Sequence, residues 1–238
     1  MGKSALVTGG AKRIGRTIAL ALANAGANVA ITYRTSAAEA SATAQAIEQL
    51  DRRALALECD VRSESSVRGA IEVTLAEFGR LDVVVNNAAV FDSVPLEFMT
   101  LDKWDTVFET NTRGPFLVAR EALTALRATR GRIVNIGSLG GTHPWKGHAH
   151  YCASKAALHM LTQCTAKAFA PEVSVNCVAP GWIEMEALPD AAAQRFAMKT
   201  PKERNGTSED VAEAVLFFAA GPSFVTGQIL TVDGGLGL

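Results

Sequence analysis

The chain has 238 residues, 48% of them hydrophobic, and its 23 basic and 24 acidic side chains leave a net charge of −1. A chain this long buries roughly 70–75% of its unfolded surface, so it needs no disulfide or metal to hold a core. Near-neutral charge without a polybasic run argues against a nucleic-acid or membrane-surface partner. No apolar stretch reaches the ~18 residues of a membrane span.

The amino terminus, MGKSALVTGG, enters a strand pattern at once and leaves no room for a signal peptide. Cys59, Cys152, Cys164 and Cys177 stand far apart, with no CxxC pair and no histidine at ligand spacing. That pattern fits free thiols in a reducing cytoplasm and no metal site.

In chain order, short β-branched runs predict strands at Ala5–Thr8, Val29–Tyr33, Ala54–Cys59, Val83–Asn86, Arg132–Ile136, Ser174–Ala179 and Ile229–Val232. Most are apolar on both faces, as in a parallel sheet covered on each side. Ala-rich segments near 13–24, 37–50, 64–78, 102–128, 149–170 and 208–220 predict helices. Gly26 marks the end of the first and Pro171 the end of the fifth. The alternation implies an α/β doubly wound parallel sheet of these strands, helices on both faces, within a single domain over 1–238. The segment 181–207 breaks the rhythm with Pro189, Pro201 and Gly206. Following a strand's carboxyl end, it is expected to lie over the ligand crevice as a substrate lid.

The first strand runs into LVTGGAKRIG. Gly9 and Gly10 permit a tight turn, Gly15 permits close helix–strand approach, and the helix amino terminus offers N–H groups to a pyrophosphate. The spacing is not GxGxxG, and the glycines are also compatible with a plain turn. It resembles instead the TGxxxGxG turn of the short-chain dehydrogenase/reductase superfamily, with Arg13 in place of the middle glycine. Further motifs of that superfamily follow in order across nearly the whole chain: Asp60-Val61, Asn86-Asn87-Ala88-Ala89, Asn111, Ser138, Tyr151-Cys-Ala-Ser-Lys155 and Pro180-Gly181.

The resemblance implies a Rossmann fold and a catalytic tetrad of Asn111, Ser138, Tyr151 and Lys155. It also implies a cofactor site drawn from Gly9, Lys12, Arg13, Ile14, Gly15, Asp60, Val61, Asn87, Ala88, Ala89, Tyr151, Lys155, Pro180, Gly181 and Ile183. A homo-oligomer, tetramer or dimer, is common in the family.

Tyr151 and Lys155 are four apart in a helical segment, so they share a face. An ammonium beside a phenol favours the phenolate. Bringing a tyrosine from ~10 toward 7 requires roughly 4 kcal/mol. Tyr151 would then exchange a proton with the substrate oxygen, Ser138 would hydrogen-bond that oxygen, and Asn111, by resemblance, would hold a water linking Lys155 to solvent.

At the second strand's end, Tyr33-Arg34-Thr35-Ser36 lacks the acid that binds a ribose 2′-hydroxyl. Arg34 with Thr35 and Ser36, beside Lys12 and Arg13, suits a 2′-phosphate. The expected cofactor is NADPH.

For the small-molecule substrate, a carbonyl compound is the main expectation, with pteridine reductase and 3-oxoacyl-carrier-protein reductase as alternatives. An NADPH-sensing binding protein is the non-enzyme alternative. TGGAKRIG, SAAEA over 36–40 and Phe91 resemble the pteridine-reductase branch. Ser138, where that branch carries Asp, and Met185, where the PGxxxT threonine belongs, depart from the patterns. Trp145 either lines the substrate pocket or anchors its loop. Trp104 and Phe108 are expected in the core or at a subunit contact. His143, His148 and His150 are expected as solvent-facing loop residues.

Overall fold

The computed structural model describes residues 2–184 and 190–238. Seven strands form one parallel sheet: β1 Ser4–Val7, β2 Asn28–Tyr33, β3 Ala54–Glu58, β4 Val83–Asn86, β5 Arg132–Ile136, β6 Ser174–Pro180 and β7 Ile229–Val232. Their order is β3-β2-β1-β4-β5-β6-β7, and β1 pairs with both β2 and β4. The chain reverses its direction of winding between β1 and β4, which opens a crevice at the strands' carboxyl ends.

Alternation along the strands feeds two cores. Ala5 and Val7 of β1 face one side and Leu6 the other. On the first face, α1 (Arg13–Asn24) and α8 (Ser208–Ala220) bury Ile18, Leu22, Val211, Val215 and Phe218. On the second, α3 (Glu64–Phe78), α5 (Gly114–Thr129) and α6 (Ala149–Phe169) bury Val67, Ile71, Leu117, Leu126 and Ala166. The helix α2 (Ala37–Glu48) packs beside α1.

The helix predicted over 102–128 is three pieces: α4 (Leu101–Phe108), a π turn (Glu109–Arg113) and α5. The correction has a tertiary cause, because Thr112 Oγ1 donates to the Ser154 carbonyl of α6 at 2.9 Å and Asn111 Nδ2 donates to Ser154 Oγ at 3.1 Å. Insertion of this kind is how a helix acquires a π bulge. Inside the predicted irregular segment lies a further helix, α7 (Asp190–Lys199). Trp182 stacks on Phe196 of α7 with centroids 3.7 Å apart, and Ile183 bridges to Gly206. Met185 lies outside the described residues. Trp104 and Phe108 stack on each other at 5.0 Å on α4.

Candidate active site

A cleft of about 340 Å³ opens at the carboxyl ends of β1, β2 and β4. Gly9, Lys12, Arg13, Ile14, Gly15, Arg34, Thr35, Ser36, Asp60, Val61, Asn87, Ala88 and Ala89 all line it. Its turn is built from both sides. Thr8 Oγ1 accepts the N–H groups of Asn87 at 3.0 Å and Ala88 at 3.1 Å, and Asn87 Nδ2 donates to the Thr8 and Gly9 carbonyls at 3.0 Å each. Gly15 has no room for a side chain, since a methyl group there would lie 2.5 Å from Asn87 Nδ2 and inside contact of the Gly9 carbonyl oxygen. Arg13 holds the left-handed conformation at φ 53°, where the resembling motif has glycine.

The cleft's chemistry suits a dinucleotide with a phosphorylated ribose. The first turn of α1 has no acidic residue and its N-cap, Lys12, provides no side-chain acceptor, so the amide donors and the helix dipole remain available to an anion. Lys12, Arg13 and Arg34 add cations, although Lys12 also pairs with Glu39 at 3.5 Å. Asp60 is gripped by Arg62, which donates Nη2 to Oδ2 at 2.6 Å and Nε to Oδ1 at 3.0 Å. That hydrogen bonding holds its carboxyl below the usual range. Asp60 is thus a fixed anion beside the cleft. Arg62 was not legible as a neighbour from sequence, although it is only two residues away.

Pro180, Gly181 and Ile183 sit further along, at the end of β6. Gly181 N–H donates to the Val232 carbonyl at 2.9 Å, and a methyl group at Gly181 would lie 2.5 Å from Asp233 Cβ. They do not line the cleft itself, and neither do Tyr151 and Lys155. The lining also includes Tyr33 and the small or apolar Ala11, Thr32, Cys59, Val90 and Thr110, the latter five carrying no local motif.

Tyr151, Lys155 and Ser138 come together where α6 crosses the ends of β5 and β6. The phenol of Tyr151 is raised above its ordinary pKa, chiefly by burial, with the nearby Ser138 hydroxyl pulling the other way. Lys155 is buried. Its Nζ donates to the Ile136 carbonyl at 2.8 Å and stands 5.8 Å from the centre of the Tyr151 ring. Burial pushes the ammonium down to about 8.

Lys155 is not among the groups that shift the phenol, on which burial has the larger influence. The ammonium is directed at a backbone carbonyl, and desolvation dominates both groups. A phenol that keeps its proton at neutral pH suits a proton donor.

Asn111, fully buried in the π turn, accepts the Val90 N–H at 2.8 Å and donates to the Val90 carbonyl at 2.9 Å and to Ser154 Oγ. Both amide hydrogens are spent on protein acceptors, so the side chain has no donor left for a water.

An aromatic wall stands beside Tyr151. Phe91, 58% exposed, meets the Tyr151 ring edge-on at 4.8 Å and stacks on His148 at 4.6 Å and 11°. Trp145 lies 6.1 Å from Tyr151 at 17°. His148 Nδ1 lies 2.9 Å from the Asp92 carbonyl, and the Val94 N–H donates to the Gly147 carbonyl at 2.7 Å. These contacts clip two sequence-distant loops together.

His143 is exposed, as expected. His148 is part of the wall. His150 is fully buried in the first turn of α6, with neither ring nitrogen partnered among the described residues and its pKa lowered by burial. The solvent-facing expectation fails for it because the helix starts at Ala149, earlier than a loop reading of 143–150 allows. Among the described residues no group of three His, Cys, Asp or Glu side chains could hold a metal, and no helix is long and apolar enough to cross a membrane.

Residues 9–237 match a family model described as enoyl-(acyl carrier protein) reductase. The chain is 37% identical over 242 residues to the 3-oxoacyl-[acyl-carrier-protein] reductase FabG of Staphylococcus aureus, covering 99% of this chain and 98% of that protein. Among solved structures it is similar to a dehydrogenase/reductase from Sinorhizobium meliloti 1021, with TM-score 0.93, 39% identity and coverage of 98% and 94% of the two chains. It is also similar to a blue fluorescent protein from a metagenomic library solved in complex with NADPH, with TM-score 0.92, 36% identity and coverage of 98% and 97%.

Proposed function

Because the chain belongs to the short-chain dehydrogenase/reductase superfamily, and is an oxidoreductase on that ground, we propose that it is an NADPH-dependent carbonyl reductase with Tyr151 as proton donor. The observation that carries this reading is Tyr151 beside Ser138, with buried Lys155 one helical turn on, at the end of a crevice whose ribose end has cations and no acid on β2.

NADPH, when bound, supplies the hydride. Lys12, Arg13, Arg34, Thr35 and Ser36 are the groups to hold its phosphates, and Asp60 with Val61 borders the base. Tyr151, Lys155, Pro180, Gly181 and Ile183 complete its site toward the reacting end. Ser138 Oγ and the Tyr151 hydroxyl hold the substrate oxygen, and Tyr151 delivers a proton as the oxygen gains charge. Lys155 replaces that proton from an ammonium that burial makes readier to give it up. Asn111 fixes the π turn against α6 and so the depth at which Lys155 sits.

Residues 1–238 form one cofactor-binding unit in this reading, with 181–207 as the segment over the substrate and Phe91 and Trp145 as the pocket wall. The protein works in the cytoplasm as a homotetramer or homodimer.

The relatives favour a 3-oxoacyl thioester as one carbonyl substrate. The aromatic wall of Phe91, His148 and Trp145 favours a second reading, a planar dihydropterin, but Ser138 is too weak an acid to protonate a ring nitrogen. The test is NADPH oxidation with activated ketones, 3-oxoacyl thioesters and 7,8-dihydropterin. Ketone or thioester turnover exceeding pterin turnover is the expected result, and the reverse order overturns the carbonyl assignment. Binding of NADPH with no turnover across the panel supports the sensor alternative instead.

A further inference from the structure

His159 stands one helical turn after Lys155 on α6. It is buried, and its Nε2 has no hydrogen-bond partner among the described residues. Its ring fills a slot that two glycines leave open. A methyl group at Gly137 would lie 2.5 Å from His159 Nε2 and 2.6 Å from Cys177 Sγ, and one at Gly141 would lie 2.8 Å from His159 Nδ1.

Those two glycines bracket Ser138. Between them the chain makes a short 3-10 turn, Leu139–Gly141, in which the Gly140 N–H donates to Ser138 Oγ at 3.1 Å and the Gly141 N–H to the Ser138 carbonyl at 2.9 Å. Ile136, whose carbonyl takes the Lys155 ammonium, immediately precedes Gly137. One imidazole ring therefore rests against both the strand end that anchors Lys155 and the turn that carries Ser138.

Among the described residues, the titratable groups set around the ring are Lys155 on its own helix and Cys177 on β6. Burial first, and the Lys155 charge second, hold the imidazole below the usual histidine range. Cys177, pushed up to about 12 by burial, offers no thiolate to offset a second cation.

We infer that His159 is a positioning residue for the proton-donating group, a wedge that sets the Ser138 turn against the strand end that anchors Lys155. The inference rests on the reductase reading above. Misplacement of a reacting group by about 1 Å costs up to ~100-fold in rate, and an imidazolium at this place would repel the ammonium it must leave undisturbed.

The experiment is a kcat, KM and pH comparison of His159→Ala and His159→Gln, with NADPH affinity followed by fluorescence. His159→Ala is expected to lose roughly 10- to 100-fold in kcat at about pH 7 while NADPH affinity changes by less than ~3-fold. His159→Gln, neutral at every pH, is expected to recover most of that loss and to flatten the acid-side decline of the unmutated protein. Unaltered kcat and KM in His159→Ala, or the same acid-side decline in His159→Gln, overturns the assignment.

A second measurement does not need turnover. The His159 imidazole, titrated by NMR, should shift to a higher midpoint when Lys155 is replaced by Met, and an unmoved midpoint overturns the coupling. Failure of the unmutated protein to reduce any carbonyl sinks the reductase reading instead, and the titration still reads His159 separately.

Discussion

Gly15→Ala offers a direct test of how the dinucleotide turn is assembled. A methyl group at this position meets the Gly9 carbonyl oxygen and Asn87 Nδ2. Neither can move cheaply, since Gly9 is backbone in a tight turn and the Asn87 amide is held at 3.0 Å by two carbonyls. Overpacking of this kind costs about 1–3 kcal/mol, and loss of one Asn87 hydrogen bond adds about 1 kcal/mol. The sum, about 2–4 kcal/mol, corresponds to a fall in Tm of about 4–16 °C for a chain of this size.

The same displacement distorts the turn on which the proposed cofactor site is built, so NADPH affinity should drop by at least about tenfold. Gly69→Ala is the matched control. Gly69 lies inside α3 with open space where the methyl group would go, and the exchange should stabilise by about 0.5–1 kcal/mol. Circular dichroism melts and fluorescence titration of NADPH read both variants. A Gly15→Ala protein melting within about 1 °C of the parent and binding NADPH as well would refute the packing argument.

Four further outcomes are expected. Tyr151→Phe should keep its fold and NADPH affinity but lose nearly all turnover, and retained activity with the preferred substrate would remove Tyr151 from the chemistry. NADPH should bind more tightly than NADH by roughly 10- to 150-fold, about 1.5–3 kcal/mol for a charge-assisted contact, and Arg34→Asp should shrink or reverse that preference; equal affinities in the parent make Arg34 a surface charge. With Lys155 pushed down to about 8, the kcat/KM for reduction should fall as pH rises past that value, because the ammonium is the protonated and competent form, and a flat profile through that range tells against its role.

Asp210 closes a capping box at α8 and pairs with Arg204 at 2.6 Å, which pulls its carboxyl down to about 2. Its contribution is present above the unfolded value near 4 and fades as pH falls through the folded one. Asp210→Asn should therefore lose about 1 kcal/mol at neutral pH, the worth of a cap with a solvent-screened ion pair. A destabilisation that persists undiminished in urea melts near pH 2 would contradict this.

Strand and helix periodicity, turn glycines and the spacing of Tyr151 and Lys155 are local properties of the chain, carried by neighbours in sequence. They were enough to determine the seven strands, their alternation with helices and the cation-rich end of β2. What depended on contact between distant segments was decided only by the tertiary structure. The break of 102–128 into α4, π turn and α5 follows from Ser154 of α6 meeting Asn111 and Thr112. The aromatic wall joins Phe91, Trp145, His148 and Tyr151 across two clipped loops.

The spacing of Lys155 from Tyr151 says that they share a helix face, but the lysine's actual acceptor is the Ile136 carbonyl on β5. The phenol's own burial, not the lysine, is the larger influence on its proton. His159 adds nothing to the sequence motif, yet the slot between Gly137 and Gly141 makes it a neighbour of both Ser138 and Lys155. A side chain's protonation depends on desolvation and on charges brought near through space, and neither quantity is encoded within one helical turn.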